Sequence, residues 1–445
     1  MSSSLSRNSL FLIAAAAAGS IFGIYEISKK IDFLSLVQTN KKQYLITDIL
    51  RNVLNFKYSI DSSILKLFGL KGENGGTITK LRVYPLKSVG KGIEVDSWEI
   101  DKHGLKFDRE YTLATFDKEK NYYTAVTLRT HPRLASVKVE FIEKKTSDGK
   151  LDGLFKFTYP LEGDNVDYDE FEGKSFFLPC IVTKVFLENS CSSLEPLKTE
   201  LWGIEFESIV IDKFLPQDFI EGAGLPEDTV LLYTEKGKDV KVGSPDFKKF
   251  IDLSKDESDG ETTDSELENS NSTTTTTNKG DTSVQIYRKS LFHDYYPILL
   301  ISLSDVNDLN KKISQSEKFS DVGEINPFRF RPNILINDNE KLFDIDTWSE
   351  ITVHSSKDEN LKNSFIVPSR SARCTMPNVN LTKNEMDKRY PITNILSKYR
   401  RIDPDNQFQI FFGVYLNQLD SGFSINVGDK IEVIKRKITI FEDPA

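Results

Sequence analysis

Residues Thr77–Ser88 read TITKLRVYPLKS. From Ile78 to Tyr84 apolar and polar side chains alternate well enough for a strand with one face buried. The same kind of short run recurs at Ile93–Ile100, Tyr111–Phe116, Val137–Ile142 and Leu154–Tyr159, with Gly and Asp in the turns between. Short strands punctuated in this way predict a β-barrel or compact β domain. Immediately upstream, KGENGG (Lys71–Gly76) reads as a loop that opens the folded region.

The second half continues in β. Pro297–Ser302 is a candidate buried strand, and Ser304–Leu309 reads as the capped start of a helix. Asn333–Asn337, Ser349–Val353, Gln409–Leu416 and Lys430–Ile434 are further strands with few helices between them. The expected fold class is therefore mainly β (α+β). An N-terminal β-barrel domain over 77–200 is followed by a β-barrel-like domain with short helices over 201–440. The second domain is interrupted at 253–283, where Asp, Glu, Ser and Thr dominate and apolar side chains are almost absent. Such a stretch cannot bury enough surface to offset its chain entropy, so a disordered insertion is expected.

The N-terminus reads differently. Ser9–Ile27 (SLFLIAAAAAGSIFGIYEI) is apolar over about 17 residues, near the lower limit for a spanning helix. Basic residues follow it at Lys29, Lys30, Lys41, Lys42 and Arg51, and no small-residue cleavage site closes it. Residues 1–30 are therefore expected to be an uncleaved signal anchor with the body of the protein in the cytosol. Residues 31–76 are expected to be a partly helical spacer, with Ile46, Leu50, Val53 and Leu54 on one face.

With 445 residues there is material for two cores, and 30 Phe and 16 Tyr to fill them. The net charge of -9 argues against a general nucleic-acid binder. The three cysteines (Cys180, Cys191, Cys374) form no CxxC pair and the four histidines are scattered, so neither a zinc site nor a disulfide framework is expected.

Three clusters carry chemistry. In PSRSARCTMP (Pro368–Pro377), Cys374 follows Arg373, with Arg370 close by. Cationic neighbours favour the thiolate, the form that binds a soft metal or attacks sulfur or carbon. In YPLKS, Lys87 and Ser88 offer an ammonium and a hydroxyl to an anion at a strand end. In FRPN (Phe330–Asn333), Arg331 offers the fork that clamps phosphate or carboxylate. Taken singly, each also has a plain reading: a structural cysteine, a solvated Lys–Ser pair, a surface arginine at a turn.

Taken in order, they resemble the MOSC proteins, specifically the eukaryotic mitochondrial amidoxime reducing component. YPLKS resembles that family's YPxKS; Gly104-Leu105 with Asp108-Arg109 and Tyr111 resembles its GL…DR-aromatic segment; VTLRTHPRL (Val126–Leu134) resembles its VTxRxxPRL. FRPN with Trp348, Arg373-Cys374, Ser397–Arg400 and Val427–Asp429 continue the series, so the resemblance runs from about Thr77 to Ile434 outside the insertion. It implies a molybdenum–pterin cofactor. Cys374 would ligate the metal, Arg373 would sit at the metal end, and Lys87, Ser88, Arg109, Arg331 and Asn333 would hold the pterin and its phosphate. The activity implied is two-electron reduction of N-hydroxylated substrates such as amidoximes and hydroxylamines. No GxGxxG or GxxxxGK fingerprint is present. The partners implied are accordingly cytochrome b5 and NADH–cytochrome b5 reductase, and the location implied is the outer mitochondrial membrane. Two positions depart from the pattern: Ser371 stands where many members carry a second cysteine, and Asn380 where many carry an aspartate. The alternative activity is that of the MOSC region of molybdenum-cofactor sulfurases, which bind the cofactor while another domain delivers sulfur.

Overall fold

The computed structural model describes residues 72–144, 151–167, 171–242, 275–276, 285–403, 406 and 408–437. The expected anchor and most of the expected spacer lie outside the described residues. So does the expected insertion, except Thr275–Thr276, a short strand paired with Gln285 and Ile286. Among the described residues no helix is long and apolar enough to cross a membrane.

The chain enters on β1 (Glu73–Val83) and turns through β2 (Leu86–Lys87). It continues through β3 (Tyr111–Asp117), β4 (Tyr122–Ala125), β5 (Leu197–Leu201), β6 (Ile204–Ile211) and β7 (Val230–Tyr233). These form a six-stranded sheet in the order β7-β6-β5-β4-β3-β2, and β7 also pairs with β3, closing a barrel. Against it lies a three-stranded sheet of Lys138–Glu143, Gly153–Tyr159 and Lys174–Pro179.

The later strands are β8 (Ile298–Ser302), β9 (Ile334–Asn337), β10 (Trp348–His354), β11 (Lys362–Ile366), β12 (Arg370–Arg373), β13 (Ile410–Gln418) and β14 (Lys430–Arg436). They run in the order β8-β9-β1-β14-β10-β11-β13-β12, and β8 also pairs with β13, closing a second barrel. The fold is mainly β, as its sequence pattern implies. The division into 77–200 and 201–440 is not how the strands are shared, however. The boundary falls inside β5, whose hairpin partner β6 belongs to the first barrel, and β1 is a stave of the second. One apolar core runs through both, from Ile78 and Leu81 of β1 to Leu113, Leu231, Leu300, Val414 and Ile431.

Two local expectations change. KGENGG is not a loop throughout, because β1 begins at Glu73 and pairs with β14 across it. A bulge between Asn74 and Gly76 absorbs the glycines, and Gly76 sits at φ 113°. Glycines carry no side-chain alternation, so the pattern could not reveal the strand. The helix after β8, α1 (Leu303–Ser314), is capped by Ser302 rather than Ser304: Ser304 N donates to Ser302 Oγ at 3.0 Å. Ser302 thus ends a strand and starts a helix, leaving no separate capping signal.

Candidate functional site

The loops leaving β2, entering β3, β8 and β9 and leaving β12 converge on one cavity of about 470 Å³. All seven residues nominated from sequence line it: Lys87, Ser88, Arg109, Arg331, Asn333, Arg373 and Cys374. Ser88, Arg109 and Arg331 all hold left-handed backbone, at φ 62°, 54° and 54°. For residues other than glycine this is an uncommon conformation, and surrounding structure must hold it in place.

That structure is a buried ring of polar groups around Tyr84. The guanidinium groups of Arg331 and Arg109 lie 4.2 and 4.8 Å from the centre of its ring. Its hydroxyl donates to the Pro332 carbonyl at 3.1 Å. Asp108, fully buried, accepts from Tyr84 N at 2.6 Å and from Arg109, and its carboxylate stands 3.2 Å from His293 Nε2. Burial works to raise the Asp108 pKa, but the Arg109 charge and the His293 hydrogen bond prevail and hold it below the ordinary value. Burial pushes His293 down to about 4, against the opposing pull of Asp108. Burial also lowers Arg331, to about 10. Arg331 donates to the carbonyls of Gly90 (2.6 Å) and Val89 (3.3 Å).

Asn333 is a brace more than a ligand. Its Oδ1 accepts from Leu299 N at 3.1 Å and from Arg109 at 3.2 Å, and its Nδ2 donates to the Arg82 carbonyl at 3.2 Å. Both oxygen lone pairs are taken, which leaves at most one amide hydrogen for anything in the cavity.

Arg373 ends β12, where its backbone pairs with Ile410 of β13. Its Nε donates to the Phe412 carbonyl at 2.8 Å and its Nη1 to the Phe330 carbonyl at 3.1 Å. Its Nη2 is buried with no hydrogen-bond partner. An unpaired buried guanidinium nitrogen is costly unless an anion arrives to meet it. Cys374, next along the chain, is exposed on the cavity, and Met376 N donates to its Sγ at 3.4 Å.

Several wall residues carry no signal in the sequence motifs. Asp294 offers its carboxylate to the cavity with 48% of the side chain exposed. It pairs with buried Lys87 and accepts from Trp202 Nε1 at 3.1 Å. Burial would raise its pKa, but the Lys87 charge and these hydrogen bonds hold it well below the usual carboxylate range. Burial lowers Lys87, and Asp294 offsets part of that. Behind them Lys238, 1% exposed, donates to the Asp294 carbonyl at 2.7 Å. Burial and the nearby Lys87 bring it down to about 7, against Asp294 and Glu200. Tyr415, Glu200 and Thr124 stand in the same wall. Burial lifts Tyr415 to about 12.

Other motif residues serve the fold. Arg400 forms a fully buried pair with Asp346 at 2.8 Å. Asp429 accepts from Ser356 N at 2.7 Å and Asn426 N at 2.8 Å. Asn380 lies off the cavity, its Oδ1 accepting from Thr382 N and Lys383 N in a turn. Cys180 and Cys191 are buried free thiols, raised by desolvation.

A molybdenum–pterin group fits this chemistry. It carries an anionic phosphate and a sulfur-rich metal, and the cavity presents basic side chains, an unpaired buried Nη2 and one accessible thiol. Glu200 and Trp202 stand in no motif, because only folding brings them to the cavity.

Two family models match the chain. A family model for the MOSC N-terminal beta barrel domain matches residues 75–169, and one for the MOSC domain matches residues 287–432. No curated protein matches the chain. Among solved structures, the crystal structure of APC1665, YUAD protein from Bacillus subtilis, is 14% identical over 34% of this chain and 68% of its own, with a TM-score of 0.20, too low to carry an argument. With both family models matched in sequence order, the chain belongs to the MOSC-domain proteins.

Proposed function

We propose that the cavity binds the molybdenum–pterin cofactor, with Cys374 as the protein's metal ligand, and that the protein reduces N-hydroxylated substrates. MOSC domains bind the molybdenum cofactor and occur in oxidoreductases and sulfurases. The observation that carries the reading is the convergence of a buried, unpaired Arg373 Nη2 and the exposed Cys374 thiol on one basic cavity.

Each residue then has a task. Arg373, fixed by the two carbonyls, aims Nη2 at an anionic edge. Lys87 and Ser88 supply an ammonium and a hydroxyl to the phosphate. Arg109 and Arg331, held by Asp108 and Tyr84, keep the wall positive, and Asn333 braces them. When bound, the group supplies two-electron oxygen-atom chemistry at its metal. Tyr415, whose pKa burial lifts to about 12, keeps its proton at the wall close to a substrate, while Asp294 stays an ionised carboxylate. Electrons come from cytochrome b5 and NADH–cytochrome b5 reductase, a proposal supported by the motif series and by the lack of a nucleotide fingerprint. The apolar segment Ser9–Ile27 supports anchoring on the outer mitochondrial membrane facing the cytosol, where shared attachment raises effective partner concentration.

The test is to purify the protein from a molybdenum-replete host, measure bound metal, and assay benzamidoxime reduction with an artificial electron donor. Metal with turnover is expected, and both are lost in Cys374→Ala. Absence of metal from the wild type overturns the reading, and metal without reduction moves the assignment to a sulfur-transfer role.

A further inference from the structure

The turn joining β5 to β6 has two residues, Trp202 and Gly203, between the paired Leu201 and Ile204. Both are left-handed, at φ 59° and 81°. A tight hairpin of this kind selects Asn, Asp or Gly at its first position, because those residues tolerate positive φ. Trp is among the least suited, so local turn chemistry does not account for it. The side chain does have a place to go. It lines the cavity at 40% exposure, and its one polar atom, Nε1, is fixed on Asp294 Oδ1 at 3.1 Å. Tyr295 lies on one side of the indole, with ring centres 6.3 Å apart and planes tilted by 30°. Thr124, Leu201 and Met376 line the same cavity. A strained backbone that holds an aromatic face at the rim of a binding cavity is an observed outlier of the kind that accompanies function.

We propose that Trp202 is a specificity-determining residue, presenting its indole face to a planar aromatic group of the ligand that enters the cavity. The proposal rests on the reductase reading only for what happens to that ligand, since the stacking itself needs no turnover. The Asp294 carboxylate fixes the ring through Nε1–H and stands ready for a cationic nitrogen on the same ligand. Flat aryl amidines, cationic at neutral pH, are the chemical class that combines the two features; the aryl amidoximes from which they form share the ring and are neutral.

The experiment compares the full chain with Trp202→Asn and Trp202→Phe, using calorimetric titration with benzamidine and with acetamidine, which has the same cation without the ring. Wild type is expected to prefer benzamidine by up to about tenfold, the upper end of what one aromatic stacking contact contributes. Trp202→Asn should lose that preference, and Trp202→Phe should keep most of it. Asn suits the turn better than Trp, so an unchanged or higher melting temperature will separate lost stacking from misfolding. A preference that survives in Trp202→Asn, or is missing in wild type, overturns the proposal. If benzamidine binding behaves as expected but the metal-loaded protein reduces neither benzamidoxime nor acetamidoxime, the reductase reading fails and the stacking site stands.

Discussion

Replacing Lys238 by Met removes a buried ammonium while keeping an apolar stem of similar length. In the folded protein that ammonium is 1% exposed, and desolvation together with Lys87 brings its pKa to about 7 from an ordinary 10.5. Between those two values the unfolded chain holds the proton and the folded protein does not. Stability therefore rises with pH across the window, by about 1.4 kcal/mol per pH unit for one proton, and levels off below it. From about pH 8 to about pH 9.5 the wild type should gain about 2 kcal/mol from this residue alone. Lys238→Met should lack that gain. At the alkaline end, where the wild type has its full gain, it should be about 1 kcal/mol less stable for want of the hydrogen bond to the Asp294 carbonyl. Denaturant unfolding of both proteins at a series of pH values measures the difference directly. Curves that stay parallel from neutral to alkaline pH would refute the reasoning, because they would mean that Lys238 titrates alike in both states.

Asp346→Ala should destabilise the protein by about 3–5 kcal/mol, since it strands the fully buried Arg400 without its counter-charge; an unchanged melting temperature would show that the pair is not what holds Arg400 in place. Gly76→Ala combines φ 113° with a Cβ only 2.3 Å from the Asn337 carbonyl oxygen, so a loss of about 2 kcal/mol or more is expected in denaturant unfolding. His293 should remain neutral down to about pH 4, so its ring resonances should not titrate in the neutral range; a midpoint near 6.5 would contradict the burial that sets it.

Much of the architecture was legible because strands with one buried face write their period into the sequence. The Ile78–Tyr84 alternation, the Tyr111 run and the Lys430 run all became strands in their expected places. The partition of strands was not legible. Nothing in β1 itself says that its neighbours are residues 334–337 and 430–433, since pairing between distant segments leaves no local mark. The site shows the same contrast. Lys87, Arg331 and Cys374 stood in motifs and were found on one cavity, whereas Asp294, His293 and Trp202 have ordinary local sequence and take their meaning only from what folding sets opposite them.

The placement of β1 has a consequence for how the chain can be cut. A fragment beginning at residue 201 would omit the stave between β9 and β14, leaving two facing strand edges with unpaired amides and carbonyls. It would also carry β6 and β7 without β3, β4 and β5, stranding Leu231 and its neighbours in water. The half that contains Cys374 is therefore not a module that can be excised or transplanted at that point, and during synthesis the first barrel strand to leave the ribosome must wait for β14, the last, before both of its edges are satisfied.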